Sequence, residues 1–276
     1  MNANIGFMQG RLSPIVDGKI QSFPWNTWRQ EISEATSIGL NIMEWTLDQE
    51  RLHENPLMSA GGQAQILELC KFYDFSIPSL TGDCFMQAPF WKVSGHDLCE
   101  KLKLDLDSIL EACSKVGIRY VVIPLVDDGR LENLEQENNL ANHLLAIESK
   151  LIRLGVKIIF ESDFAPGDLK RFISRFSSGN FGINYDVGNS AALGFDPEIE
   201  FAAIGDRICN VHVKDRIKGG GSVPLGEGDA NFEKVFELLE RGGYRGNYIL
   251  QAARDDGGDH LQALVQYKKF VQGMVE

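Results

Sequence analysis

Residues 208–216 read Ile208-Cys-Asn-Val-His-Val-Lys-Asp-Arg216. Apolar residues alternate as in a buried strand, and the run then gathers His212, Lys214, Asp215 and Arg216 before the loose stretch Lys218-Gly-Gly-Gly-Ser222. Three other stretches follow the same pattern: Lys157-Ile-Ile-Phe-Glu161, Phe181-Gly-Ile-Asn-Tyr-Asp186 and Asn247-Tyr-Ile-Leu-Gln251. Each is a short apolar run closed by a group that can bind a metal or carry a proton. Chemistry concentrated at the C-terminal ends of strands marks a fold that brings those ends to one place.

Working outward, strand-like runs precede these at Ala3–Phe7, Ile42–Trp45, Phe75–Leu80 and Tyr120–Leu125, with the eighth placed at Tyr248–Gln251. Helical spacing fills the intervals: Trp25–Ser37, Gln63–Tyr73, Asp97–Val116, Leu131–Leu154, Pro166–Phe176, Pro197–Ile204, Asn231–Arg241 and Asp259–Val271. Gly39, Gly117 and Gly155 are placed to stop three of them, and Asn231 to cap another. Pro14, Asp17-Gly18 and Pro24 make residues 12–24 a loop. Eight strand-helix units in 276 residues predict an α/β (β/α)8 TIM barrel, one domain over residues 1–276. A doubly wound open sheet would show fewer strands, and no GxGxxG follows the first one.

Composition narrows the partners. A formal charge of −12 argues against nucleic acid, whose binding rests on Lys and Arg meeting phosphates. No apolar run approaches the ~18 residues of a membrane span. Asn2-Ala-Asn-Ile-Gly-Phe7 lacks the basic and apolar features of an export signal. Five cysteines without a CxxC pair read as reduced thiols of a cytoplasmic protein.

In such a barrel Glu161, Asp186, His212 and Gln251 stand side by side at the mouth. Two carboxylates, an imidazole and an amide oxygen suit one divalent ion, with Mn²⁺ the first choice and Mg²⁺, Co²⁺ or Zn²⁺ alternatives. Lys214, Arg216 and the glycine-rich run follow the seventh strand, a place where barrels often hold phosphate. Arg11 and Gln9 leave the first strand and Glu44 the second, so all three are candidates for substrate contact. Trp45, Phe85, Phe90 and Trp91 can wall a sugar or simply fill the core. His53, His96, His143 and His260 fall away from strand ends and receive no role.

Gly39-Leu-Asn-Ile-Met-Glu-Trp45, Phe160-Glu161, Tyr185-Asp-Val-Gly-Asn189, Asn210-Val-His-Val-Lys-Asp215 and Val223-Pro-Leu-Gly-Glu-Gly-Asp229, with Gly243-Tyr-Arg-Gly246, carry a resemblance over essentially the whole chain. It is to the xylose-isomerase-like barrel superfamily, especially its hexulose-6-phosphate isomerase and ribulose-5-phosphate 3-epimerase branch. The resemblance implies a metal-dependent isomerase or epimerase of a small sugar or sugar phosphate, working by proton abstraction and a metal-stabilised enediolate. It implies metal ligands Glu, Asp, His and Glu, matched at Glu161, Asp186 and His212, with Glu161 and His212 as catalytic residues. It further suggests sugar contacts for Glu44, a phosphate or acidic sugar beside Asn189, and pairing as a homodimer or homotetramer.

Gln251 departs from the pattern where the family has its second glutamate. An amide oxygen can still ligate a metal, but an amide is no general base. The related 3-epimerases are implied to use both glutamates, on opposite faces of the substrate. With Glu161 the only strong base in the quartet, the expected chemistry is one-base isomerisation in preference to two-base epimerisation. A dehydratase of the inosose type and a sugar-binding barrel without turnover are the alternatives. An apurinic-site endonuclease on this fold would need more metal-binding histidines and a basic face.

Overall fold

The computed structural model describes residues 4–16, 18–19, 21–255 and 257–275. Ala3 and Asp17, assigned by sequence to the first strand and the following turn, lie outside them. Among the described residues, eight parallel strands close into a barrel: β1 (Asn4–Met8), β2 (Ile42–Thr46), β3 (Ser76–Thr81), β4 (Tyr120–Leu125), β5 (Lys157–Ser162), β6 (Phe181–Asp186), β7 (Ile208–Val213) and β10 (Asn247–Leu250). Neighbours around the ring follow chain order, and β1 pairs with β10 to close it. β8 (Asp215–Arg216) and β9 (Ser222–Val223) form a small antiparallel ribbon above the mouth-side end of β7.

Strand alternation decides what enters the barrel. In β5, Phe160 turns outward and meets the rings of Phe172, Phe176 and Phe181 at 5.1, 5.4 and 6.4 Å, so its neighbour Glu161 turns inward. A one-residue slip would exchange the two, at the cost of burying a carboxylate among phenylalanines. Parallel pairing sets Asp186 beside His212, and His212 beside Ile249.

The connecting helices are α1 (Trp28–Ser37), α2 (Ala60–Tyr73), α3 (Asp83–Gln87), α4 (His96–Val116), α5 (Leu134–Ala146), α6 (Glu148–Leu154), α7 (Pro166–Ile173), α8 (Val187–Leu193), α9 (Pro197–Ile204), α10 (Phe232–Arg241) and α11 (His260–Val275). In α4, Leu102, Leu106, Ile109, Leu110 and Cys113 form the buried face, and Gly117 stops the helix at φ +86°, where a side chain would be strained. Asn231 caps α10, accepting from the Lys234 amide. The single helix expected over residues 131–154 is two: Ile147, at φ −96° and ψ 4°, bends the chain between α5 and α6. Trp45, Phe85, Phe90 and Trp91 are buried in the core, with the indole N–H groups of Trp45 and Trp91 donating to Asn55 and the Gly129 carbonyl. No described helix is long and apolar enough to cross a membrane.

Candidate metal and substrate site

β5, β6 and β7 deliver Glu161, Asp186 and His212 to one point, and ligand atoms of the three lie within 4.8 Å of one another. His212 Nδ1 is 3.0 Å from Glu161 Oε2 and 3.9 Å from Asp186 Oδ2. Its other nitrogen, Nε2, lies 2.7 Å from Glu44 Oε1. The Glu44 carboxylate also accepts from the Thr81 hydroxyl, and its second oxygen accepts from Asn210 Nδ2 at 2.8 Å. Glu44 therefore fixes the imidazole with Nδ1 facing the two carboxylates, the arrangement in which metal-ligating histidines are usually held.

Glu44, a candidate for sugar contact by sequence, is fully buried, and its oxygens are engaged by His212, Thr81 and Asn210 beneath the site. Asn210 Nδ2 continues to Asn184 Oδ1 at 2.8 Å, and Asn184 Nδ2 donates to Glu161 Oε2 at 2.9 Å. Sequence reasoning passed over Asn184 and Asn210, although each lies two residues before a strand-end ligand and so on the same inner face.

Charge is finely balanced here. Burial by itself would lower the His212 pKa, but Glu44 and Glu161 outweigh it and carry it up to about 10. Burial pushes Glu44 and Glu161 upward, yet His212 holds both below the usual carboxylate range, with Lys214 and Asn184 assisting at Glu161. Asp186 goes the other way: burial and the Glu161 charge raise it in spite of Lys214. An imidazole and two carboxylates that already converge, with His212 oriented from behind, fit a divalent ion as ligands.

Gln251 is buried at the end of β10, its Oε1 3.5 Å from Lys214 Nζ and its Nε2 donating to Gln21 Oε1 at 3.1 Å. Lys214 Nζ also lies 3.5 Å from Asp186 Oδ2 and from Asn189 Oδ1. Asn189 donates to Glu161 Oε1 at 2.7 Å and accepts from Arg216 Nη1 at 2.9 Å, so it positions the face of Glu161 turned away from His212. Lys214, Arg216 and Asn189 thus stand together on one side of the mouth. Arg11 is buried on another side, beside Gln21 at 3.5 Å, and burial together with Arg254 lowers it to about 10. Gln9 also serves the barrel, accepting from the Thr46 amide, while its buried Nε2 has no partner among the described residues.

Asp215, in the same cluster, anchors the loops: its carboxylate accepts from the backbone N–H groups of Arg216, Gly226, Gly228 and Ala230. A Cβ on Gly228 would fall 2.2 Å from Asp215 Oδ1, which accounts physically for the glycine of Pro224-Leu-Gly-Glu-Gly228. The Lys218–Ser222 run is the tip of the β8–β9 ribbon, and the N–H groups of Lys218, Gly219 and Gly220 already donate within the protein. An anion would meet those three amides only after the tip rearranged.

A profile of the xylose isomerase-like TIM barrel family matches residues 32–268. The chain is 33% identical over 266 residues to the L-ribulose-5-phosphate 3-epimerase UlaE of Escherichia coli O1:K1 / APEC, covering 90% of this chain and 92% of that protein. Among solved structures, a xylose isomerase domain protein from Planctomyces limnophilus superposes with a TM-score of 0.76 at 15% identity, covering 99% of this chain and 97% of its own. An L-ribulose 3-epimerase superposes at 0.74 and 14% identity, covering 99% and 95%. With the closed eightfold barrel and its strand-end cluster, the chain belongs to the xylose isomerase-like TIM barrel family.

Proposed function

We propose that the chain is a divalent-metal-dependent epimerase or isomerase of a small sugar or sugar phosphate, with 3-epimerisation of a 2-ketose phosphate such as L-ribulose 5-phosphate as the first activity to test. The observation that carries this is the convergence of Glu161, Asp186 and His212, with Glu44 holding His212 at 2.7 Å from behind. The similarity to UlaE over nine-tenths of the chain supports the substrate class.

Glu161, Asp186 and His212 would hold the ion, with the Gln251 amide oxygen as a fourth donor. When bound, the ion supplies a Lewis acid for the negative charge that develops on the substrate oxygens. Glu161, held below the usual carboxylate range, is ionised and takes the proton next to the carbonyl. Asn189 orients its second oxygen. Lys214 and Arg216 supply positive charge beside the mouth, and Arg11 supplies more from the β1 side, for a phosphate or an acidic group. Reduced cysteines and the sugar-phosphate substrate fit a cytoplasmic enzyme.

One-base isomerisation between neighbouring carbons is a second reading, favoured by Gln251 where a base would otherwise stand. The test combines elemental analysis of chain purified without chelator with deuterium uptake by L-ribulose 5-phosphate in ²H₂O containing Mn²⁺. About one ion per chain, lost in Glu161→Ala, and deuterium at C3 support the proposal. Sugar binding without any exchange would replace it with a non-catalytic barrel, and loss of water from the sugar with a dehydratase.

A further inference from the structure

Inversion at a carbon needs a proton removed on one face and returned on the other, and Gln251 can do neither. The structure offers a different carboxyl. Asp83 follows β3 at the mouth end of the barrel, as the first residue of α3, and it is buried. Asp48 and Asp215, buried aspartates of neighbouring loops, are plainly structural. Asp48 accepts from Ser22, the Phe23 amide and Gln87, and Asp215 accepts from four backbone amides.

Asp83 has one hydrogen bond from a described residue, Gln21 Nε2 at 2.9 Å, and it caps no helix. That one bond leads to the site, because Gln21 Oε1 accepts from Gln251 Nε2 at 3.1 Å. A single glutamine therefore joins Asp83 to the position where the family's second base is missing. The charged and titratable groups whose charge acts on Asp83, or on which Asp83 acts, include Asp48, Cys84, Glu161, His212 and Arg11.

We infer that Asp83 is the second proton-transfer group of the reaction, working opposite Glu161 in place of a glutamate at position 251. This rests on the epimerase reading above. In one direction Glu161 takes the C3 proton, and the C–H electron pair becomes the C2–C3 double bond as the carbonyl pair moves to O2. The Asp83 carboxyl then gives its proton to the other face of C3. The double-bond pair forms the new C–H bond, and the C2 carbonyl returns. One C–H bond breaks and one forms; Glu161 then loses a proton to solvent and Asp83 regains one.

Burial, together with Asp48 and Glu161, pushes Asp83 up to about 7, so its carboxyl holds a proton to give in useful amount.

The test follows L-ribulose 5-phosphate with Mn²⁺ in ²H₂O, scoring inversion and C3 deuterium separately for the parent, Asp83→Asn and Asp83→Asn/Gln251→Glu. The expected result is inversion reduced by about 100-fold or more in Asp83→Asn. C3 exchange through Glu161 should persist, and inversion should return in the double variant. That rescue is one a merely structural role for Asp83 would not produce, and it also controls for folding. Inversion at the parent's rate in Asp83→Asn overturns the inference, as does loss of exchange along with inversion without rescue. A parent that exchanges C3 without inverting also overturns it and leaves a one-base isomerase. A parent with neither activity removes the epimerase reading itself.

Discussion

Replacing Glu44 with glutamine keeps the shape of the side chain and removes what holds His212. The carboxylate receives three donors: His212 Nε2, the Thr81 hydroxyl and Asn210 Nδ2. An amide has one oxygen. If that oxygen faces His212 and Thr81, the new NH₂ meets Asn210 Nδ2, donor against donor. Asn210 can relieve this by turning its amide, since its Oδ1 has no partner among the described residues, but it then gives up the 2.8 Å bond to Asn184. Any arrangement therefore sacrifices a buried bond worth about 1–3 kcal/mol. The imidazole also loses the anion that raises its basicity, so affinity for Mn²⁺ should fall by about 10–100-fold, or about 1.4–2.8 kcal/mol. Titration calorimetry of parent and Glu44→Gln, each checked by thermal melting, reads this directly. Equal Mn²⁺ affinity in the two proteins would refute the argument that Glu44 orients a metal ligand.

Gln251→Glu adds a carboxylate to the quartet and should tighten Mn²⁺ by about 10-fold; unchanged affinity in the same titration would mean that residue 251 does not face the ion. Asp215→Asn leaves one acceptor oxygen for four amides, so the segment from 217 to 229 should become open to limited proteolysis while the barrel melts at a similar temperature. Cleavage confined to other loops would contradict this. Asp83→Asn should change stability with pH. Because the folded pKa is raised from 3.8 to about 7, the parent's stability from this group is present below pH 3.8 and is lost as pH rises through about 7. The variant should therefore exceed the parent in urea stability at pH 8, by up to about 4 kcal/mol, and match it near pH 4. A parent that is the more stable at pH 8 would show that the carboxylate is accommodated without strain.

The barrel was legible because burial on both faces makes each strand a nearly continuous apolar run. Tyr120–Leu125, Phe181–Asp186 and Ile208–Val213 have the same limits in sequence and structure, and the others differ by a residue or so. Short elements were not legible: α3, α8 and the β8–β9 ribbon hold too few residues to display a period, and Ile147 bends a helix whose spacing continues past it. In the site, the strand-end acids and His212 stood out because a charge after an apolar run is conspicuous. What lies beneath them did not, since nothing local says that Glu44 meets a residue 168 positions away. The Gln21 link between Asp83 and Gln251 joins a loop, a helix start and a strand end, and only the closed barrel makes them neighbours.

That closure has a consequence for the order of assembly. β1 pairs with β10, joining Asn4 to Asn247 across almost the whole chain. Until that last strand arrives, β1 and β7 each present an unpaired edge. A growing chain can therefore carry Glu161, Asp186 and His212 long before it has a lumen to hold them in. Such a chain has a slow, non-local step left to complete. Ligand-binding geometry and protection from edge-to-edge aggregation should then appear together, in the same kinetic phase of refolding, when the final strand docks.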